Sequence, residues 1–236
     1  MSISTNRFKK NAMNTINQKT KVAIIGLGNI GKAIASNLVK GNHPVIISSR
    51  EIVKAQSFAA ELGASATAEE TYSAIKNADI IIPTISFDKI KEFLAQFAEE
   101  LKGKIIVDVS NPIAPDGHGG FKKVINEDVS AGQTLLALVP KGASFVKAFG
   151  TLGAASLFGA AFAQPDKKVL FYASDSTNIN KQIDELITDS GFVPLHIGGI
   201  NQSIRIEVFG DLHEFGALGK TVTLLEAKNA VNHYEG

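Results

Sequence analysis

Short apolar runs alternate with amphipathic stretches along most of this chain. Val22 to Ile25, Val45 to Ile47, Asp79 to Pro83, Lys104 to Asp108, Phe145 to Phe149 and Lys168 to Tyr172 are short runs rich in branched and aromatic side chains, the signature of buried strands. Between them the apolar period becomes helical. Ile30, Ala33, Ile34, Asn37 and Leu38 precede a stop at Gly41, and Ile52 to Leu62 ends at Gly63. Glu69 to Lys76 is a third predicted helix. Phe87 to Leu101 is a fourth, with Ile90, Phe93, Leu94, Phe97 and Leu101 on one face. Ala64 to Thr67 reads as a short strand, Leu135 to Pro140 as the end of a short helix, and Ile179 to Ser190 as a helix closed by Gly191. Phe192 to Ile197 is a strand that Pro194 assigns to an edge. Ser110 to Gly120 (SNPIAPDGHGG) reads as a loop, and residues 201 to 230 as mostly helical without clear limits.

Strands alternating with helices predict an α/β fold: a doubly wound, mainly parallel Rossmann-type sheet, extended by a smaller C-terminal α/β part. The expected organisation is a disordered tail over residues 1–20, a nucleotide-binding domain over 21–141, and a part over 142–236 that completes the substrate side. The first 20 residues are polar and basic, with Arg7, Lys9 and Lys10, and lack the apolar centre of a secretion signal. A tail, or a stretch upstream of a start at Met13, is preferred over an organelle transit peptide.

The 236 residues suffice for a sizeable core. A net charge of +1 gives no electrostatic case for nucleic acid or an anionic membrane, and no apolar run approaches a bilayer span. Without cysteine, thiol catalysis, disulfides and Cys-based metal sites drop out, and no metal site is expected. A small-molecule substrate and a cytoplasmic location are the expectations. The oligomeric state stays open, a homodimer included.

The chemistry concentrates in residues 21–50, KVAIIGLGNIGKAIASNLVKGNHPVIISSR. Gly26, Gly28 and Gly31 have the spacing G-x-G-x-x-G between a strand and a helix. The first permits the tight turn, the second lets backbone approach a pyrophosphate, and the third lets helix pack on sheet. The free amides that open the helix favour the diphosphate. At the end of the second strand, where an NAD site carries a carboxylate for the ribose, this chain has Ser48, Ser49 and Arg50. A hydroxyl and a guanidinium suit a 2′-phosphate, and Lys54 can add a second cation, so NADP is the expected cofactor. The competing reading makes Arg50 and Lys54 solvated charges, with Glu51 as a partner.

Catalytic residues are not identifiable. No Y-x-x-x-K occurs where a short-chain dehydrogenase needs it. His118, in the ligand-side loop, is the one candidate acid or substrate cap. His43 reads as solvated, His196 lies in the edge strand, and His213 and His233 have no assigned chemistry; for each a structural or surface role is expected. The small-residue run with Gly150, Gly153 and Gly159 is open to two readings, close approach of a planar ring or close helix packing. Phe145, Phe149, Phe158 and Phe162 could floor a flavin pocket, although such residues more often belong to a core.

Several pieces together resemble one family. VAIIGLGNIGKAIA, VIISSR, VDVSNP and LVPKGASFVKAFGT make residues 21 to 152 similar to the deazaflavin (coenzyme F420)-dependent NADP reductases and to the cytoplasmic reductase domain of the STEAP metalloreductases, with a looser match through KVLFYASD. The resemblance implies NADP across the carboxyl ends of the strands. Leu27, Asn29 and Ile30 with the three glycines would hold the diphosphate, and Ser49, Arg50 and Lys54 the 2′-phosphate. Thr84 and Ile85 would line the middle of the cofactor, and Ser110, Asn111 and Pro112 the nicotinamide end. A flavin or deazaflavin co-substrate is a further implication. Two departures stand out. Gly150 replaces the family's usual asparagine, which puts the usual electron partner in doubt, and GDLHEFGALG (210–219) matches no assignable pattern.

The expected function is hydride transfer between NADP(H) and a flavin-like or small organic acceptor. A non-catalytic NADP-binding sensor or regulatory module is the first alternative. An imine or ketol-acid reductase-like enzyme is the second, lowered because the chain returns to strands after residue 150.

Overall fold

The structure, a computed structural model, describes residues 19–232. The expected tail over residues 1–20 lies outside that range except for Lys19 and Thr20, and His233 also falls outside it.

Eight strands form one sheet: β1 (Val22–Ile25), β2 (Val45–Ser48), β3 (Ala66–Ala68), β4 (Ile80–Pro83), β5 (Ile105–Asp108), β8 (Ser144–Ala148), β9 (Val169–Ala173) and β10 (Val193–His196). Their spatial order is β10-β9-β8-β5-β4-β1-β2-β3. All neighbours are parallel except β8 and β9, so the last two strands run opposite to the first six. The chain reverses sheet direction between β1–β2 and β1–β4, and ligands in such sheets bind at the carboxyl ends of strands flanking that switch.

Alternation decides the layers. Val22, Ile24, Ile47, Ile82, Val107 and Val146 point to one face, under α1 (Asn29–Lys40), α2 (Ile52–Leu62), α6 (Ala154–Gly159) and α7 (Asn180–Asp189). Ala23, Ile25, Ile81, Ile106, Phe145 and Phe171 point to the other, under α3 (Thr71–Asn77), α4 (Phe87–Gln96), α5 (Ala131–Leu136) and α8 (Leu224–Asn232). Covering both faces explains why β1, β4 and β5 are buried at every position and read as unbroken apolar runs. Each fully buried Ile or Val adds roughly 1.5–3 kcal/mol, so these strands anchor the loops at their ends.

Four expectations need correction. The amphipathic stretch from Phe87 is helical only to Gln96; turns carry the chain on to Leu101, which is still buried. Residues 110–120 are not all loop: β6 (Ile113–Pro115) pairs antiparallel with β7 (Phe121–Lys123). Residues 201–230 are less regular than expected: 3₁₀ geometry at Ile200–Ile206 gives way to turns and bends, and a regular helix begins only at Leu224. His43 is buried rather than solvated: Nδ1 lies 2.8 Å from Asp189 Oδ2 and Nε2 is 2.8 Å from the Thr20 carbonyl oxygen. It joins the α1–β2 turn to the end of α7, where a Cβ at Gly41 would collide with the Asp189 carbonyl. Pro194 does mark an edge strand.

Candidate functional site

At the carboxyl end of β1 the chain turns at Gly26, whose φ is 114°, and its N–H donates to the Ser48 carbonyl at 2.8 Å. Gly31 packs so closely that a Cβ would collide with the Gly26 carbonyl oxygen and approach Thr84 Oγ1 to 2.5 Å. Thr84 follows β4; its hydroxyl donates to the carbonyl oxygens of Gly26 at 2.8 Å and Ile25 at 3.2 Å. The middle-cofactor candidate is thus first of all the stitch that holds the glycine turn, with half-buried Ile85 beside it. Gly28 is different. It precedes α1 as an exposed residue, and a Cβ there would meet nothing within 4 Å. No side chain caps α1 and no acidic residue sits in its first turn, so its opening amides face solvent without a competing carboxylate. Leu27 and Ile30 are half-buried flanks and Asn29 is exposed.

The residues expected around a 2′-phosphate, Ser48, Ser49, Arg50 and Lys54, differ in their surroundings at the end of β2. Ser48 is fully buried, and its hydroxyl lies 2.9 Å from Thr71 Oγ1, tying β2 to α3 and away from solvent. Ser49 is half-buried and donates to the Glu51 carbonyl at 2.6 Å. Arg50 is exposed and has no hydrogen-bond or ion-pair partner among the described residues. Lys54 pairs with Glu51 at 2.6 Å, both mostly exposed, a contact weak enough to be exchanged for another anion.

The ends of β5 and β8 form a second constellation that the sequence reading did not assemble. Asp108 and Lys147 face each other in register and are fully buried, with 2.7 Å between Oδ2 and Nζ. Asp108 Oδ1 also accepts the Ser110 N–H at 2.9 Å, and the Lys147 ammonium donates to the Ser110 carbonyl. Asn111 is a bridge: Nδ2 donates to the Gly150 carbonyl at 2.9 Å and Oδ1 accepts the Val208 N–H at 2.7 Å. Pro112 is buried beside it.

His213 completes the arrangement from the unassigned 210–219 segment. Its Nδ1 accepts the Phe215 N–H at 2.9 Å, which leaves the proton on Nε2, and Nε2–H donates to the same Gly150 carbonyl at 2.8 Å. Burial, together with the nearby Lys147 charge, drives its pKa down to about 4 against the favourable Gly150 bond, so the ring is neutral. Glu214, also buried, accepts the Gly153 N–H, and a Cβ at Gly153 would reach the Phe215 ring. The chain enters this turn through Phe149, whose φ of 60° is uncommon for a bulky residue. His118, by contrast, is exposed at the tip of the β6–β7 hairpin, where its N–H and that of Gly120 hold the Asp116 carboxyl below the usual carboxylate range.

Of the four phenylalanines, Phe145 and Phe149 are core, Phe158 is exposed, and Phe162 lies beneath Lys40, 4.7 Å from ring centroid to Nζ. The small residues of α6 serve packing: Asn37 Nδ2 of α1 donates to the Leu157 carbonyl at 2.7 Å. One signal could have exposed the missed ion pair. Asp108 and Lys147 are opposite charges inside otherwise apolar strands. His213 carried no such signal. Among the described residues no cluster could hold a metal ion, and no helix is long and apolar enough to cross a membrane.

Comparison with known proteins agrees with this geometry. The family model for coenzyme F420-dependent NADP oxidoreductases matches residues 21–112, from β1 through Pro112. A solved structure, hypothetical protein SMa0349 from Sinorhizobium meliloti, superposes with a TM-score of 0.76 at 32% identity, over 88% of this chain and 97% of that one. Residues 21–112 thus match the family of coenzyme F420-dependent NADP oxidoreductases. Two curated relatives extend the comparison. Metalloreductase STEAP3 of Rattus norvegicus is 26% identical over 187 residues, 79% of this chain and 36% of the relative. The F420-dependent NADP reductase of Methanocaldococcus jannaschii is 33% identical over 104 residues, 40% of this chain and 46% of the relative. The chain therefore spans between a third and a half of these relatives' length. The match to the F420-dependent oxidoreductase family ends at Pro112, so the Gly150–His213 arrangement lies outside what the family model covers.

Proposed function

We propose that the protein binds NADP(H) across the carboxyl ends of β1, β2, β4 and β5 and passes hydride between it and a flavin-like or small organic acceptor. The observation that carries this reading is the pairing of an uncapped, carboxylate-free opening of α1 at Gly28 with the unpartnered, exposed Arg50 at the end of β2. The residues present fit the cofactor. Gly26, Leu27, Gly28, Asn29, Ile30 and Gly31 would hold the diphosphate through backbone amides. Arg50 would fork onto the 2′-phosphate, with Ser49 and Lys54 beside it. Ser48 has its hydroxyl engaged by Thr71 and would act only by placing Ser49. Thr84 and Ile85 would border the middle of the cofactor, and Ser110, Asn111 and Pro112 its nicotinamide end. When bound, the nicotinamide would supply the hydride; the protein's part is to orient it and exclude water, which needs no side-chain acid.

The acceptor is a deazaflavin, a flavin or another small oxidant. The names of the relatives favour the first, whereas Gly150 in place of the usual asparagine argues for another. A second reading has one observation in its favour. His213, Glu214 and Phe215 fold over the Gly150–Gly153 turn, as they would if that end were kept closed in a sensor. Fluorescence titration tests the cofactor: NADPH should bind more tightly than NADH, and Arg50→Ala should weaken NADPH by roughly 1.5–3 kcal/mol with little effect on NADH. Equal affinities in the wild type would refute NADP selectivity. NADPH oxidation followed with flavins, quinones and ferric chelates separates enzyme from sensor.

A further inference from the structure

Around the ends of β5 and β8 most of the polar groups already have partners. Both oxygens of Asp108, the Lys147 ammonium, both polar atoms of the Asn111 amide, both His213 nitrogens and the Gly150 carbonyl are engaged, as is the Glu214 carboxylate. Two groups are exceptions. The Ser110 and Thr151 hydroxyls are buried and have no partner among the described residues. The residues are 6% and 2% exposed. Only one other buried side-chain atom in the described chain shares this condition, Asn180 Oδ1 at the start of α7.

The position of the pair matters. Asp108 and Lys147 are register partners on adjacent parallel strands, so Ser110 and Thr151 follow the ends of neighbouring strands on the cofactor side of the sheet. The Gly150 carbonyl between them is clamped by Asn111 and His213, which fixes the turn that carries Thr151. A buried hydroxyl without a partner is destabilising, and alanine or valine would avoid that cost. Two such hydroxyls beside an otherwise matched network point to a partner that arrives from outside.

We infer that the Ser110 and Thr151 hydroxyls are the receptor for the carboxamide of the bound nicotinamide, one donating to its carbonyl oxygen and the other accepting from its NH₂. A hydroxyl can do either, and a primary amide offers one face of each kind. The inference rests on the NADP reading. Thr151, beyond the family-matched residues, is a new member of the site. The exposed Phe215 side chain, which packs where a Gly153 Cβ would sit, is a neighbour that ligand entry can displace without opening the core.

The test uses Ser110→Ala, Thr151→Val and the double variant of the full chain. Melting is measured without ligand. Calorimetric titration follows with NADP, with its analogue bearing acetyl in place of the carboxamide, and with adenosine 2′,5′-bisphosphate, which lacks the nicotinamide half. Each variant should melt at or above the wild-type temperature, because an unsatisfied group has been removed. Each should lose roughly tenfold in NADP affinity and keep adenosine bisphosphate affinity within about twofold; because the acetyl analogue keeps the carbonyl oxygen but has no NH₂, one single variant should weaken it about as much as it weakens NADP and the other should hardly weaken it. Wild-type NADP affinity in the double variant would overturn the inference. A ligand-free melting temperature several degrees lower would do the same, as would equal losses for NADP and its analogue in both single variants. Failure of the wild type to bind either NADP or adenosine bisphosphate would instead overturn the NADP reading, and the inference with it. Binding of adenosine bisphosphate with unchanged NADP affinity in the variants sinks the inference alone.

Discussion

The two ends of the candidate site are built on opposite principles. At the β1–α1 turn, backbone makes the site and side chains stay out of the way: Gly28 has open space where a Cβ would be, α1 has no side-chain cap, and Arg50 has no partner among the described residues. At the ends of β5 and β8, side chains make the site and nearly all of their polar atoms are engaged with one another. On the proposed reading, the difference follows from the part of the cofactor that each end would take. A diphosphate is bound by amide dipoles that must stay unsatisfied until it arrives, and solvent keeps that waiting state cheap. A planar ring must be placed in a dry environment, where an unengaged dipole or charge is expensive, so the walls have to be matched internally first.

The sharpest way to break this contrast is at the buried pair. Lys147→Ala leaves Asp108 buried without its counter-charge, and should cost about 3–5 kcal/mol in urea unfolding. Replacing both partners with apolar residues of similar volume should recover most of that loss, since the pair itself is worth little net. A small effect for Lys147→Ala would mean that the β5–β8 end is wetter than its burial indicates.

The next effect is on pH dependence. His213 has its pKa lowered to about 4 in the fold against 6.5 in the open chain. Between those values the unfolded chain binds the proton and the folded protein does not. Stability is therefore complete above pH 6.5 and declines as the pH falls toward 4, by about 3 kcal/mol in all. His213→Gln should flatten that part of the stability profile measured by chemical denaturation at stepped pH. A profile with the same slope in the variant would assign the acid sensitivity elsewhere.

Glycine substitutions sharpen the comparison at the other end. Gly31→Ala forces a Cβ into the Gly26 carbonyl and the Thr84 hydroxyl, and should lose about 1–3 kcal/mol of stability. Gly28→Ala meets no neighbour and keeps an ordinary φ of −69°, so its melting temperature should barely move while NADPH affinity falls. Equal stability losses for the two would contradict the open geometry at Gly28. Lys54→Ala should have the smallest effect. Its partner Glu51 is solvent-exposed, so stability should change by less than about 0.5 kcal/mol, with a modest loss in NADPH affinity.

The phosphate end was legible in the chain because its physics is local. A glycine spacing, the strand before it and the helix after it lie within 30 consecutive residues, and two of the three glycines meet a backbone requirement seen in the fold, Gly26 by its positive φ and Gly31 by its close packing. Ser48 was misread for a local reason too: the pattern places it at the strand end, but only α3 packing shows its hydroxyl turned to Thr71. The β6–β7 hairpin was hidden in 110–120 because proline and glycine give loop signals whether or not the flanks pair.

Hydrophobic periodicity and glycine spacing by themselves determined the α/β sheet, its two covered faces, the edge at Pro194 and the glycine turn after β1, because each depends on residues a few positions apart. Tertiary structure alone decided that Asp108 meets Lys147, that Asn111 and His213 grip one carbonyl, and that Glu214 reaches Gly153. Those contacts join residues 39 to 63 positions apart in the chain. Nothing local encodes such a meeting; it arises only once burial leaves each of these polar groups no other partner.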